Sequence, residues 1–171
     1  SLVRRLGGWF GEVRSVTIAP RGTTIISGYD DGKVRLWHTR TGKLQRVIPQ
    51  YPGGAVTCLS LSRNGQRLAT SSCGSTCGFQ VWEIGSRGST QQRMIQMIEE
   101  APTTSVALSA DGTLLASTNR EGVVYLRSAG TGLLLQTLPA PPGAQGFWWP
   151  QSDLAFSPDS KVLAVNYHNI I

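Results

Sequence analysis

The stretch Thr24–Val47, TIISGYDDGKVRLWHTRTGKLQRV, decides the fold, because the rest of the chain consists of diverged copies of it. It contains short runs of β-branched and alternating apolar residues at Thr24–Ser27, Val34–His38 and Lys43–Ile48. The turn sequences Asp-Asp-Gly and Thr-Gly separate these runs. Asp-Gly between alternating apolar runs is a strong hairpin signal. The stretch therefore predicts consecutive antiparallel strands.

A strand–turn–strand pattern recurs four times along the chain, at spacings of 43, 47 and 48 residues. A period of 40–50 residues is typical of the blades of a β-propeller. The run Met94–Ile98 by itself fits a helix or a strand, and the repeat favours a strand. The equivalent turn positions are Gly22, Gly65, Gly112 and Ser160.

The pattern SG-x-DDG-x-VRLW, followed by TG-x-L, resembles the end of a WD repeat. In that family a turn Asp, an inter-blade His, a strand Ser or Thr and the WD Trp form a buried network. Ser27, Asp31 and Trp37 match three of these places, and Trp82 matches the WD Trp in the second copy. Trp9 stands at the place of the His, so the resemblance implies an incomplete network.

The resemblance implies an all-β propeller of four-stranded antiparallel blades, with three whole blades and half of a fourth. The blades are expected at approximately 9–48, 55–98, 104–138 and 147–171. Residues 1–6 resemble Lys43–Val47 and are expected to be the outer strand of a preceding or closing blade. Since Ser1 is not a natural start, we interpret the chain as a fragment or a processed product.

An incomplete ring leaves an inter-blade face and a strand edge uncovered, and uncovered edges promote aggregation. A ring of radially repeated blades leaves only short, protected edges. We therefore expect protein partners, a second copy or further propeller blades to complete the ring.

The composition suits an all-β protein with many turns, since the chain has 20 Gly, 9 Pro and only 15% charged residues. The net charge of +6 permits an anionic partner, although scattered solvated arginines explain it better, because no block of five like charges occurs. No apolar run approaches the ~20 residues that span a bilayer. No signal peptide is visible, but a processed chain could have lost one, so the location is left open with the cytoplasm slightly favoured.

The acidic residues at the turns do not indicate catalysis. Asp111 and Asp159 recur at equivalent turns, whereas a catalytic pair is needed only once, so turn capping explains them better. His38 and His168 are interpreted as surface or strand-end residues. No phosphate-binding loop, Ser-His-Asp set or metalloprotease motif is present. The sequence predicts no catalytic residue, no cofactor and no metal site.

The three cysteines are too few for a disulfide framework. Cys58 alternates with apolar neighbours and is interpreted as a small buried residue. Cys73 and Cys77 flank Gly-Ser-Thr, and they either form a small-loop disulfide or contribute half of a metal site. The metal reading is weak, since no second Cys/His pair lies at ligand spacing.

The segment Pro139–Pro150, PAPPGAQGFWWP, is the part least explained by the repeat. It joins blade three to blade four on the face where this family usually binds partners, and exposed aromatic residues are typical interface anchors. Phe147, Trp148 and Trp149 are therefore the first candidates for partner contact. Filling the gap between the blades is the alternative, which is favoured for Phe147. Arg35 and Arg127 are further candidates.

The sequence favours a non-catalytic protein-interaction scaffold or a structural subunit of a larger assembly. Loops carried on a rigid sheet framework suit that role. The alternative is a binder of nucleic acid or of another anionic surface through an Arg-rich face, which would lose affinity steeply with salt. A propeller enzyme with an axial site fits less well, since the inner strands offer mostly Val, Thr, Ser, Leu and Ala.

Overall fold

The computed structural model describes residues 10–49, 54–74, 77–84, 92–99, 103–142 and 153–167. Within these ranges every regular element is a β-strand, and the strands form antiparallel sheets in sequence order. The prediction of an all-β chain with four-stranded antiparallel sheets is confirmed.

Each sheet is called a blade, numbered in chain order. Blade one contains β1 (Val13–Ile18), β2 (Thr24–Tyr29), β3 (Lys33–His38) and β4 (Leu44–Pro49). Blade two contains β5 (Gly54–Leu61), β6 (Arg67–Gly74), β7 (Cys77–Ile84) and β8 (Gln92–Glu99). Blade three contains β9 (Thr103–Leu108), β10 (Leu114–Asn119), β11 (Val124–Ser128) and β12 (Leu134–Leu138). Blade four is described as the pair β13 (Asp153–Phe156) and β14 (Leu163–Asn166).

The turn between the first two strands of each blade has the same backbone conformation. Gly22, Gly65 and Gly112 have φ angles of 67°, 70° and 75°, where glycine meets no Cβ penalty. Ser160 takes the equivalent place with φ 61°. A left-handed conformation costs an L-residue about 1–2 kcal/mol. The shared turn geometry is therefore kept even where the sequence has lost its glycine.

Aspartates cap these turns, as the sequence predicts. Asp111 Oδ1 accepts hydrogen bonds from Ser109 Oγ at 2.5 Å and from the Thr113 amide at 2.9 Å. Asp159 Oδ1 accepts from Ser157 Oγ and the Lys161 amide in the same way. The hydrogen bond from the serine, and then the one from the amide, holds the pKa of each carboxyl below its usual value.

The hydrophobic core lies between blades. The first cluster joins blade one to blade two, and its members are Ile26, Val34, Leu36, Ile48, Val56, Leu59, Leu68 and Ile84. The second joins blade two to blade three, and its members are Ala69, Phe79, Val81, Val106, Leu108, Leu115 and Ala129. Successive residues of a strand face opposite sides of the sheet, so Leu68 and Ala69 serve different clusters. Blade two is therefore buried on both faces.

Polar contacts and close backbone approach add to the blade interfaces. The Leu59 amide donates to Ser15 Oγ at 3.2 Å, and the Arg67 guanidinium donates to the Gly112 carbonyl at 2.7 Å. A Cβ at Gly28 would lie 2.5 Å from Val56 Cγ1, which is closer than real Cβ atoms approach. The absence of a side chain at Gly28 is therefore a condition for packing blade one against blade two.

Candidate interaction surface

One face of blade one has no neighbouring blade among the described residues, and we call it the free face. Ser15 accepts a hydrogen bond from blade two, so Ser15 points toward that blade. Strand side chains alternate between faces, which places Val16 and Ile18 on the opposite side. Val16 is 62% exposed and Ile18 is 61% exposed. The inner part of the free face is thus an exposed apolar strip.

Three of the four equivalent positions in blades two and three are buried, and the fourth, Leu61, is partly buried. Val16 stands six residues before its turn glycine, as Leu59 and Val106 do in blades two and three. Leu59 is only 8% exposed and Val106 only 2%, because the preceding blade covers each of them. The Ile18 equivalent Leu108 is 6% exposed. Exposed contiguous apolar surface of this kind marks an interaction site.

The outer part of the free face is closed by side chains of blade one itself. The Trp37 indole N–H donates to Ser27 Oγ at 2.8 Å, and both residues are buried. The Phe10 ring lies beside Trp37, with ring centroids 6.0 Å apart, and meets Tyr29 edge-on at 6.3 Å. These aromatic contacts exclude water from the WD tryptophan although no blade of the described ranges covers it.

An arginine–aspartate pair completes this cover. Arg35 donates two hydrogen bonds to Asp31, Nη1 to Oδ1 at 3.1 Å and Nη2 to Oδ2 at 2.7 Å. Its Cζ lies 4.2 Å from the Phe10 ring centroid and 4.4 Å from that of Tyr29, within cation–π range. The hydrogen bond from Arg35 is the main cause that lowers the pKa of Asp31.

Arg35 lies in the interior of this cluster and is only 4% exposed. Arg127 is partly buried in blade three, where its Nη1 donates to the Gly132 carbonyl at 3.3 Å and burial lowers its pKa. Trp82 packs against the core between blades one and two. Its buried indole nitrogen has no hydrogen-bond partner in the described part of the chain.

The aromatic segment and two residues near the chain ends lie outside the described residues. This applies to Phe147, Trp148, Trp149, Trp9 and His168.

Sequence reasoning missed the cover over Trp37. It assigned Asp31 to the WD network and Arg35 to the surface, without pairing the two. Their spacing of four residues across a tight turn was the available signal, since it brings both onto one face. No sequence pattern indicated that the Phe10 ring lies beside Trp37, because the position of this ring depends on the path by which the chain enters blade one.

A shallow cleft of about 400 Å³ lies among the turns of blades two, three and four. The turns are tied together, since the Arg63 amide donates to the Ala110 carbonyl at 2.9 Å and the Asp111 amide donates to Ser160 Oγ at 3.3 Å. Nowhere in the described ranges do three or more His, Cys, Asp or Glu residues group as metal ligands would. The same ranges contain no helix long and apolar enough to cross a bilayer.

Comparison with known proteins identifies the repeat. The family model described as "WD domain, G-beta repeat" matches residues 1–38 and 42–79. Autophagy-related protein 16 of Arabidopsis thaliana is 44% identical over 57 residues, which cover 33% of this chain and 11% of that protein. Small ribosomal subunit protein RACK1 of Medicago sativa is 28% identical over 141 residues, covering 73% of this chain and 42% of that protein.

The fold is shared with solved structures. The crystal structure of RRP9 WD40 repeats matches with a TM-score of 0.68 at 22% identity, covering 80% of this chain and 41% of that one. The chain thus spans less than half the length of each of these proteins. The two repeat matches, the four-stranded blades and the common fold support a WD40-type domain.

Proposed function

We propose that this WD40 domain is a non-catalytic scaffold that joins a larger assembly through the free face of blade one. The exposed strip at Val16 and Ile18 carries this proposal, since a preceding blade buries the equivalent side chains Leu59, Val106 and Leu108 and partly buries Leu61. The occupant expected there is a β-sheet with an apolar face, from further propeller blades or from a protein partner. Similarity to WD40 repeat proteins supports a role in protein interaction.

The free face is preorganised for binding. Ser27, Trp37 and Arg35 lie beside the exposed strip on the same face, where hydrogen bonds and ring contacts hold them in place. A rigid surface loses little conformational entropy when it associates. The strip therefore needs only to be covered, without rearrangement of the blade.

Direct contacts to a second partner are proposed for the segment that joins blades three and four. Trp148 and Trp149 are the first candidates there. Phe147 is a third candidate, for which filling the gap between the blades is the favoured alternative. Arg127 lies on blade three, from which this segment leads, and it is partly exposed. It is therefore proposed as a further, positively charged contact.

The arginine contacts favour a protein scaffold over a binder of anionic surfaces. Arg14 pairs with Glu12 at 3.0 Å, and Arg35 is buried against Asp31. Arg67 donates to a backbone carbonyl of blade three. Arg35 and Arg67 are engaged within the fold, and Arg14 is partly neutralised by a surface ion pair. Cations already paired within the protein release fewer counterions when it binds nucleic acid, so the salt dependence expected of a binder is reduced.

The test is a double variant, Val16→Asp with Ile18→Asp, in the longest natural polypeptide that carries this sequence. Burying two carboxylates at an apolar interface should cost at least about 3 kcal/mol. We expect a lower melting temperature if the ring is closed within the chain, or a smaller native mass if a partner closes it. Native mass spectrometry and differential scanning calorimetry measure both.

The matched control is Leu133→Asp, since Leu133 is 64% exposed at a turn of blade three, away from the free face. Its melting temperature and native mass should equal those of the parent protein. If the double variant behaves like this control, the free face is not an interface and the proposal is wrong.

A further inference from the structure

Two cysteines lie opposite each other at the end of the β6–β7 hairpin. Cys73 and Cys77 are register partners in adjacent antiparallel strands, their Cα atoms are 4.1 Å apart, and their sulfurs form a disulfide. Both residues are partly exposed, whereas their neighbours Ser72 and Gly78 are buried. The disulfide therefore lies at the boundary between the blade interior and solvent.

We propose that Cys73 and Cys77 form a reversible redox site that opens and closes while the propeller stays folded. A thiolate of a dithiol reductant attacks one of the two sulfurs, forms a mixed disulfide and releases the other cysteine, which takes up a proton. The second thiol of the reductant then attacks the mixed disulfide. Two electrons and two protons pass to the cysteine pair, and the reductant becomes a disulfide. Oxidation by a disulfide reagent runs the same steps backward.

The geometry indicates that the disulfide contributes little to the stability of the fold. The cysteines are only four residues apart, and the stabilisation from a disulfide falls as the closed loop shortens. The two strands are also paired continuously from Arg67↔Glu83 to Cys73↔Cys77. Blade two should therefore survive reduction, which distinguishes a switchable bond from a structural staple.

Access also suits exchange. Thiol–disulfide exchange requires a path for the attacking thiolate, and partly exposed disulfides are the labile ones. The third cysteine, Cys58, is a free thiol whose Sγ lies 3.6 Å from the Val106 carbonyl oxygen. Cys58 thus provides an internal reference that should remain reduced in both states.

The bond fixes a corner where three strands meet. Cys73 is paired with Ala55 of β5 on one side and with Cys77 of β7 on the other. Farther along the hairpin, Phe79 is 1% exposed and anchors the core between blades two and three. Opening the bond should therefore loosen the hairpin end as far as Phe79 and leave the core intact.

The first measurement is a titration of the folded protein in glutathione buffers of varying thiol-to-disulfide ratio. Free thiols are trapped with N-ethylmaleimide and counted by intact mass. We expect two forms that differ by two adducts and interconvert reversibly, both being populated within the series. The double variant Cys73→Ser with Cys77→Ser should show one adduct throughout.

Hydrogen exchange then locates the change. Reduction should speed exchange in peptides covering residues 71–80 and leave those covering β2 and β3 unchanged. The melting temperature should fall by no more than about 5 °C. In the serine variant, dithiothreitol should change neither the hydrogen-exchange rates nor the melting temperature.

Three results would overturn the proposal. A bond that resists excess dithiothreitol until the protein unfolds is a structural staple. A pair that stays reduced in oxidised glutathione is a free dithiol. Loss of the cooperative fold on reduction means that the bond holds the blade together.

Discussion

Blade one and blade two have the same strand pattern but bury their WD tryptophans in different ways. Trp82 of blade two packs against the core that blade one provides. Trp37 of blade one has no such neighbour among the described residues, yet it is only 3% exposed, because Phe10 and the Asp31–Arg35 pair lie around it. A repeat can therefore replace part of a missing neighbour with its own side chains.

Phe10 and the Asp31–Arg35 pair cover only the outer part of the free face. The inner strand keeps Val16 and Ile18 exposed, while their equivalents in blades two and three are buried or, at Leu61, partly buried. The contacts that fold back over the sheet lie on the outer part of the face, at Arg35 and Phe10. Among the described residues, no second sheet covers the inner strand of blade one.

The largest effect should come from Asp31→Ala, which leaves the Arg35 guanidinium buried without its carboxylate. Removing one partner of a buried pair costs about 3–5 kcal/mol, and the partial exposure of Asp31 puts this case near about 3 kcal/mol. Urea unfolding measures it. Asp159→Ala removes a fully exposed turn cap and should cost much less. If the two variants lose equal stability, the Asp31–Arg35 pair does not shield the outer part of the free face.

Gly28→Ala tests the side of blade one that touches blade two. The new Cβ would meet Val56, so the strands must separate, at a cost of about 1–3 kcal/mol. Gly130→Ala is the matched control, since its Cβ would lie in ordinary contact with Arg67, 3.5 Å from Nη2. If both variants melt at the same temperature, the close approach at Gly28 does not limit packing.

The WD tryptophans themselves provide a direct comparison. Trp37→Phe should cost about 1 kcal/mol more than Trp82→Phe, because only the Trp37 indole loses a hydrogen bond, the one that it donates to Ser27. Chemical denaturation of the two variants, each measured against the parent, gives this difference. A larger loss at Trp82 would contradict the described hydrogen bonding.

The smallest effect is a pH dependence. Since the pKa of Asp31 in the folded protein lies below its usual value of 3.8, the unfolded chain takes up the proton first as the pH falls. The stability from Asp31 is then fully present above pH 3.8 and is lost as the pH drops through the lowered pKa. Thermal unfolding of Asp31→Asn should show a flatter profile in this range, and a parallel profile would contradict the assignment.

Much of the fold could be read from periodicity and turn chemistry. The turn glycines and the alternating runs marked the strand pairs, and the repeat assigned Met94–Ile98 to a strand, which the structure shows as β8. Asp111 and Asp159 were recognised as caps because their bonds are local. The burial of Arg35 was not recognised, because one of its partners is the ring of Phe10, which precedes the first strand of the blade.

The sequence by itself determined the strands, their antiparallel order and the repeat, because hydrogen-bonded pairs and tight turns are local in the chain. Only the tertiary structure decided which apolar positions are covered. Val16 and Leu59 carry the same signal in their strands. Their exposures of 62% and 8% differ because Leu59 lies against a preceding blade, whereas no described blade lies against Val16. Burial depends on neighbours distant in sequence, and a local pattern does not encode whether that neighbour is present.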